Sequence, residues 1–380
     1  MTDKLYYKDA YIKEFDANVL LVRKEEKGYA VVLDKTAFFP EEGGQYSDHG
    51  FIGDARVEDV KEANGLIYHY TDKPVEEGTK VHCKIDFDER YEKMQCHSGE
   101  HILSGLIHKL YGLDNVGFHL GAVDVTMDIS APLTREQLDK VEELANEIIY
   151  KNIEIRTEFP ASDELSGMEY RAKLDLTENV RIVRIGEYDA CACCAPHVKR
   201  TGEIGVIKIL DFAKLRGGIR IRITAGWRAL REFRSLYNTA GEVSALLSVP
   251  KTDIAEGTKK LLSSLAEEKA KFSEYRLKRI SEEAYSMKRI EGNCVTVIPE
   301  ANVEELIAFA NIATEKVSGR LVLLCGEEGA YKYVISSCAE DLRAEAKEIN
   351  KSLLGRGGGK PNMIQGSFSS SLAEIKKYFS

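Results

Sequence analysis

No stretch of this 380-residue chain is apolar for long enough to cross a bilayer: the longest strongly apolar runs, such as Leu321–Cys325, fall far short of the ~20 residues a spanning helix needs. The opening MTDKLYYKDAYIKEFD lacks the apolar centre of a signal peptide, so a cytoplasmic location is the expectation. No internal repeat or low-complexity tract is present, which argues against solenoid and fibrous architectures. No motif for ATP binding or aminoacylation stands ahead of residue 90. The glycine run GRGGGKP does not supply one, because Leu354 stands where a P-loop has glycine and Pro361 follows Lys360 where it has Ser or Thr. ATP is therefore not expected as a ligand.

What is present is an ordinary globular composition, 43% hydrophobic and 30% charged, in a chain long enough for two or three domains. The net charge of -9 argues weakly against a polyanionic partner, but its distribution argues the other way. Lys199 to Arg234 holds ten basic residues against three acidic ones, a candidate phosphate-contacting block that includes Arg216, Arg220 and Arg222. A strand pair with a solvated basic face is the plain alternative. Eight cysteines without a secretory leader read as reduced thiols or metal ligands.

The periodicity predicts an α+β multidomain protein. Residues 1–90 alternate short apolar runs (YAVVLD, GLIYHYTD, KVHCKIDF) with turns, the pattern of a small β-barrel, with Glu42, Gly43, Gly44 and Gln45 as a polar turn within it. Residues 91–238 mix helix and strand: a helix through HSGEH that ends at Gly112, an amphipathic helix over REQLDKVEELANEIIYKN, and strands at VRIVRIG, EIGVIKIL and GIRIRITAG. Residues 239–292 turn to Ala, Glu, Lys, Leu and Arg with heptad-like stripes, a coiled-coil-like helical spacer. Residues 293–380 read as a small α/β domain.

Two short segments carry the chemistry. Four residues apart on a helix, His97 and His101 share a face and can aim at one ion. Cys193 and His197 repeat that separation beside Pro196, in a loop, and together the two pairs suit tetrahedral zinc; Cys191 and Cys194 stand as alternative thiols. Glu100 before His101 opens a second reading, since His-x-x-Glu-His marks a class of zinc metalloproteases in which the carboxylate is the general base. A non-catalytic module with a structural zinc is a third.

Taken together, TAFFPEEGGQ (Thr36 to Gln45), HSGEH, GFHLG (Gly117 to Gly121), CCAPHVKRTGEIG (Cys193 to Gly205) and GRGGGKPNMIQG (Gly355 to Gly366) resemble, in order and over almost the whole chain, the stand-alone alanyl-tRNA editing proteins in their long form. These are relatives of the editing and C-terminal parts of alanyl-tRNA synthetase. The resemblance implies zinc-dependent hydrolysis of the ester of tRNA(Ala) mischarged with serine, and with glycine, without any charging activity. It places His97, His101, Cys193 and His197 on the family's zinc positions, Thr36 on the threonine that senses the serine hydroxyl, and Gly43, Gly44 and Gln45 in the substrate-binding turn. His119 stands where synthetase relatives carry a glutamine near the substrate, and Glu100 replaces a threonine; both become catalytic candidates. The family's Cys-Gly-Gly-Thr-His pattern is Cys-Cys-Ala-Pro-His here, which changes the backbone of that loop. Residues 91–238 become the editing domain and residues 293–380 a domain for tRNA contact, with Arg356 and Lys360 in a glycine loop near phosphates and a homodimer expected through spacer and C-terminal domain. The implied class, a non-catalytic tRNA-binding module aside, is an aminoacyl-tRNA hydrolase.

Overall fold

A computed structural model describes residues 1–165, 167–172 and 180–380, and the chain divides into two units, Met1–Ala240 and Gly241–Ser380. Both are α+β. In the first, six antiparallel strands, β1 (Glu14–Lys24), β2 (Tyr29–Leu33), β3 (Gly50–Ile52), β4 (Ala55–Ala63), β5 (Leu66–Thr71) and β6 (Lys80–Ile85), pair in the order β1-β2-β5-β4-β3-β6 and close on themselves. Burial alternates along β5, as a half-buried strand requires, and Val31, Leu33, Phe38, Ile52, Val60 and Ile67 fill the interior.

Helix α1 (Phe87–Tyr111) follows and stops at Gly112, whose φ of 65° places it in the left-handed region and whose N–H bonds to the His108 carbonyl. Every residue from Lys93 to Ile107 is buried, so this helix is the axis of the unit rather than a surface element. A sheet in the order β12-β13-β8-β7 packs beside it, formed by β7 (Asn115–Leu120), β8 (Val125–Ile129), β12 (Ile207–Leu215) and β13 (Gly218–Ala225). Helix α2 (Arg135–Tyr150) starts with a capping box between Thr134 and Gln137 and buries Leu138, Val141 and Ile148 in the same core. A three-stranded sheet, β9 (Ile155–Glu158), β10 (Ile182–Ile185) and β11 (Asp189–Ala192), leads into the cysteine segment.

A buried ionic knot ties the loop after Thr36 to α1. The Asp48 carboxylate accepts from Arg90 Nε at 3.0 and 2.9 Å and from the Phe39 N–H at 2.6 Å, and Lys93 Nζ lies 3.6 Å away while donating to the Ser47 carbonyl. Arg90 also donates to the Ala37 and Ala10 carbonyls. All three charged side chains are at most 1% exposed. The loop that carries Gln45 is thereby fixed against the helix that carries His97.

The boundary between the two units, at Ala240 and Gly241, falls within helix α3 (Gly226–Leu247). The second unit contains the 33-residue helix α4 (Ile254–Ser286), of which only Ile280 and Ala284 are buried. Its sheet runs β14-β15-β16-β18-β17 through β14 (Cys294–Val297), β15 (Arg320–Cys325), β16 (Tyr331–Ser337), β17 (Gly355–Lys360) and β18 (Met363–Phe368). Leu321 and Leu323 face helix α5 (Val303–Ala313), while Val322 and Leu324 face the opposite core with helix α6 (Leu342–Ser352), as alternation along a two-sided strand demands.

One expectation is corrected here. GRGGGK was expected to be a loop and is an edge strand, paired with Met363–Phe368. Glycine is required because a Cβ on Gly357 would lie 2.4 Å from the Tyr333 hydroxyl and 2.3 Å from the Gln365 carbonyl oxygen. Among the described residues no helix is long and apolar enough to cross a membrane.

Candidate metal centre

His97 and His101 project from one face of α1, and Cys193 and His197 come from the segment after β11; the four ligand atoms all lie within 4.8 Å of one another. Cys193 Sγ sits 3.5 Å from His97 Nε2 and 3.4 Å from His197 Nε2. What each imidazole does with its other nitrogen decides whether the set fits a metal. His97 Nδ1 is 2.9 Å from Gln45 Oε1, His101 Nδ1 is 2.9 Å from Asp189 Oδ2, and His197 Nδ1 is 3.0 Å from Ser98 Oγ. All three partners can accept, so each ring can keep its proton on Nδ1 and present the Nε2 lone pair to the centre, which is how metal-bound histidines are held. Three imidazoles and one thiol arranged this way fit zinc.

The thiol is prepared as well. Burial alone would raise the Cys193 pKa, but the neighbouring His97 and His197 and hydrogen bonds from His101 and His197 hold it well below the ordinary thiol range, so the thiolate that ligates metal is favoured. Asp189 behaves similarly: burial would raise it, but its bond to His101 and the Arg171 guanidinium, at 2.8 and 3.0 Å, keep it ionised. Asp189 can approach α1 only because residue 105 is glycine, where a Cβ would lie 2.4 Å from the Tyr188 carbonyl oxygen and 2.8 Å from Asp189 Cβ. Asp189→Asn is expected to weaken zinc binding about 10–100-fold by loosening His101, measured by competition against a chelator.

Residues Glu42 to Gln45 are brought to this cluster by a two-glycine hairpin. Gly43 and Gly44 have φ of 61° and 82°, and Glu42 and Gln45 exchange backbone hydrogen bonds of 3.1 and 3.0 Å across them. Positive φ at both central residues is the condition of this turn and explains the pair. The turn is clamped to β7 by the Leu120 N–H to the Gly44 carbonyl at 2.7 Å, and a Cβ on Gly44 would lie 2.2 Å from the Phe118 carbonyl oxygen. A Cβ on Gly43 would lie 3.2 Å from Cys194 Sγ, so that thiol packs on the turn rather than in the ligand set. Cys191 instead joins His101 and Asp189 in a second, three-residue grouping.

Thr36 has no exposed surface. His69 Nδ1 faces the Val31 carbonyl at 3.0 Å and must donate, and burial takes the pKa of this histidine down to about 4, so its Nε2 is a lone pair. The Thr36 hydroxyl, 2.9 Å from that Nε2, therefore donates to it and accepts from the Phe38 N–H at 3.1 Å. Glu100 is buried but outside the four-residue set; its Oε1 accepts from Asn115 Nδ2 at 2.5 Å and from the Ser104 hydroxyl. A carboxylate held by two donors on that side does not match the free base that the protease reading needs. His119 is exposed on β7, opposite Thr126 of β8.

Three residues at this site lie outside the set expected from the sequence. Ser98 lay inside HSGEH, so helical geometry could have suggested it. Asp189 reaches His101 from 88 residues away, and Arg181, which donates from Nη1 to the Cys193 and Ala195 carbonyls at 2.8 and 2.9 Å, secures the loop that replaces the family's glycines. Neither carries a local signal. Of the basic candidates, Arg220 pairs with Asp128 at 2.7 Å, and Arg222 pairs with Asp211 at 2.5 Å and Asp124 at 3.5 Å, so adjacent strands already neutralise part of that block. Arg216 lies exposed in the β12–β13 turn, and Arg356 and Lys360 are exposed on the edge strand of the second unit.

Residues 180–223 match the family described as the threonyl and alanyl tRNA synthetase second additional domain, and residues 2–89 match class II (A) tRNA synthetases. The alanyl-tRNA editing protein AlaX-L of Pyrococcus horikoshii is 31% identical over 99% of this chain and 96% of its own length. The alanine–tRNA ligase of Ignicoccus hospitalis is 32% identical over 95% of this chain but only 40% of its own, and that of Pyrococcus furiosus is 30% identical over 96% and 42%. The chain thus spans about two fifths of the ligases it matches.

Proposed function

The chain belongs to the alanyl-tRNA editing family, and from that premise we propose that it is a zinc-dependent deacylase that hydrolyses the ester of Ser-tRNA(Ala), and of Gly-tRNA(Ala), without charging tRNA itself. The observation that carries this reading is the convergence of His97, His101, Cys193 and His197 with all three Nδ1 positions already facing acceptors. Zinc held by these residues would supply Lewis acidity and, at an open coordination position, would lower the pKa of a water bound to it, which is what ester hydrolysis asks for. A second hydrolytic site is needed because a single synthetase pocket cannot separate amino acids that differ by one small group.

The chain's own residues take the following parts in this reading. Thr36 lies beneath the surface with its proton committed to His69, so it can meet a seryl hydroxyl only as an acceptor. Gly43 and Gly44 shape the turn that delivers Gln45. Glu100, held to Ser104 and Asn115, steadies the helix behind the centre, and the exposed His119 of β7 is assigned the proton exchange with the leaving ribose in this reading. Arg216, Arg220, Arg222, Arg356 and Lys360 are proposed to contact phosphates, Arg220 and Arg222 by exchanging a carboxylate partner for a phosphate. In this reading residues 1–90 are an N-terminal β-barrel domain and residues 91–238 the deacylase domain, with residues 239–292 as spacer and 293–380 as a tRNA-contacting domain. The exposed Leu261, Leu265, Phe272 and Tyr275 of α4 suit a homodimer, and a cytoplasmic setting suits the whole. The test is to offer Ser-tRNA(Ala) and Ala-tRNA(Ala) to the zinc-loaded protein: the seryl ester is expected to be lost and the alanyl ester spared, and equal rates or no hydrolysis would reject the reading.

A further inference from the structure

Gln45 is fully buried, and the two atoms of its amide have different fates: Oε1 lies 2.9 Å from His97 Nδ1, while Nε2 is buried with no hydrogen-bond partner among the described residues. The amide cannot be turned round. If His97 gives its Nε2 lone pair to a metal, its proton is on Nδ1, and the group facing Nδ1 must accept; only Oε1 can. The NH2 group then points away from His97 with nothing to receive it. Leaving a buried amide donor unmet is destabilising, and orienting His97 requires only the oxygen, as in a glutamate. The Gly43–Gly44 hairpin, clamped to β7, prevents the side chain from relaxing towards solvent.

We propose that Gln45 Nε2 is the donor for the carbonyl oxygen of the aminoacyl ester as that oxygen becomes anionic. This rests on the deacylase reading and assigns a catalytic part to a residue that reading only places near the substrate. Water adds to the carbonyl carbon, the π electron pair moves to the carbonyl oxygen, and the Nε2 N–H donates a hydrogen bond to that charged oxygen. The pair then returns, the bond from the carbonyl carbon to the ribose oxygen breaks, and the water's proton ends on that oxygen as the amino acid leaves. A fixed donor aimed at where charge develops is commonly the largest single contribution to such a reaction. One amide thus performs two tasks: Oε1 sets the tautomer of a metal ligand and Nε2 meets the reacting oxygen.

The test uses the full chain with Gln45→Glu, which keeps an acceptor for His97 but has no N–H, and Gln45→Met, which has neither. At saturating zinc, single-turnover hydrolysis of Ser-tRNA(Ala) per zinc-loaded chain is expected to fall about 100–1000-fold in both variants. Binding of a non-hydrolysable amide-linked seryl-tRNA is expected to stay near the wild-type value. Zinc affinity, measured separately against a chelator, is expected to hold in Gln45→Glu and to drop in Gln45→Met. Wild-type rates per zinc-loaded chain in either variant would overturn the assignment, as would a loss expressed wholly in analogue binding. A wild-type protein that leaves Ser-tRNA(Ala) intact would instead reject the deacylase reading on which the proposal stands.

Discussion

Replacing Asp48 by alanine is expected to destabilise the chain by about 3–5 kcal/mol, because it leaves Arg90 buried without its counter-charge, while Lys93 keeps Glu89 at 3.0 Å. The carboxylate also holds the Phe39 N–H, so the loop carrying the Gly-Gly turn loosens at the same time. The effect has a definite pH signature. Burial would raise the pKa of Asp48, but the charges of Arg90 and Lys93 and the bonds it accepts hold it below the ordinary value. A depressed folded-state pKa means that the unfolded chain binds the proton more readily, so the stabilisation is complete above the unfolded aspartate value of about 3.9 and is lost as pH falls through the lower folded value. Denaturant midpoints for wild type and Asp48→Ala should therefore lie far apart at pH 7 and approach each other below about pH 4. A gap that stays constant with pH, or none at pH 7, would show that the knot contributes by shape alone.

His101→Ala is the second large effect. It removes one of the four residues proposed to hold the zinc and takes from Asp189 the ring it orients. Because loss of an outer partner already costs about 10–100-fold in metal affinity, loss of the ligand itself should exceed that, and hydrolysis of Ser-tRNA(Ala) should disappear with the zinc. The fold is expected to survive, since α1 stays anchored by the Asp48 knot and by Ile102, Leu103 and Leu106 in the core. Circular dichroism together with tRNA affinity checks this. Global unfolding of His101→Ala would assign the metal a structural role.

The residues that could be read from the sequence are those whose geometry is local. His97 and His101 sit four apart on a helix whose end Gly112 announces, and the structure brings them to one point with Cys193 and His197. The polar turn at Glu42 to Gln45 follows from two adjacent glycines. What stayed hidden depends on register between distant segments. Asp128 faces Arg220 because β8 and β13 pair in one register, and nothing near either residue says so. Asp48, Arg90 and Lys93 look like solvated charges in the sequence, yet all three are interior because the barrel loop folds onto α1. The run GRGGGK carries no side-chain alternation from which a strand could be read; its strand character comes from pairing to Met363–Phe368 and from the approach of Tyr333.

The most direct test of the account is the rate of Ser-tRNA(Ala) hydrolysis as zinc is titrated into metal-stripped protein, with Ala-tRNA(Ala) in parallel. The account predicts that the rate climbs to a plateau at one zinc per chain while the alanyl ester survives throughout. Full hydrolysis before any zinc is added, or none at saturating zinc with tRNA still bound, would contradict it.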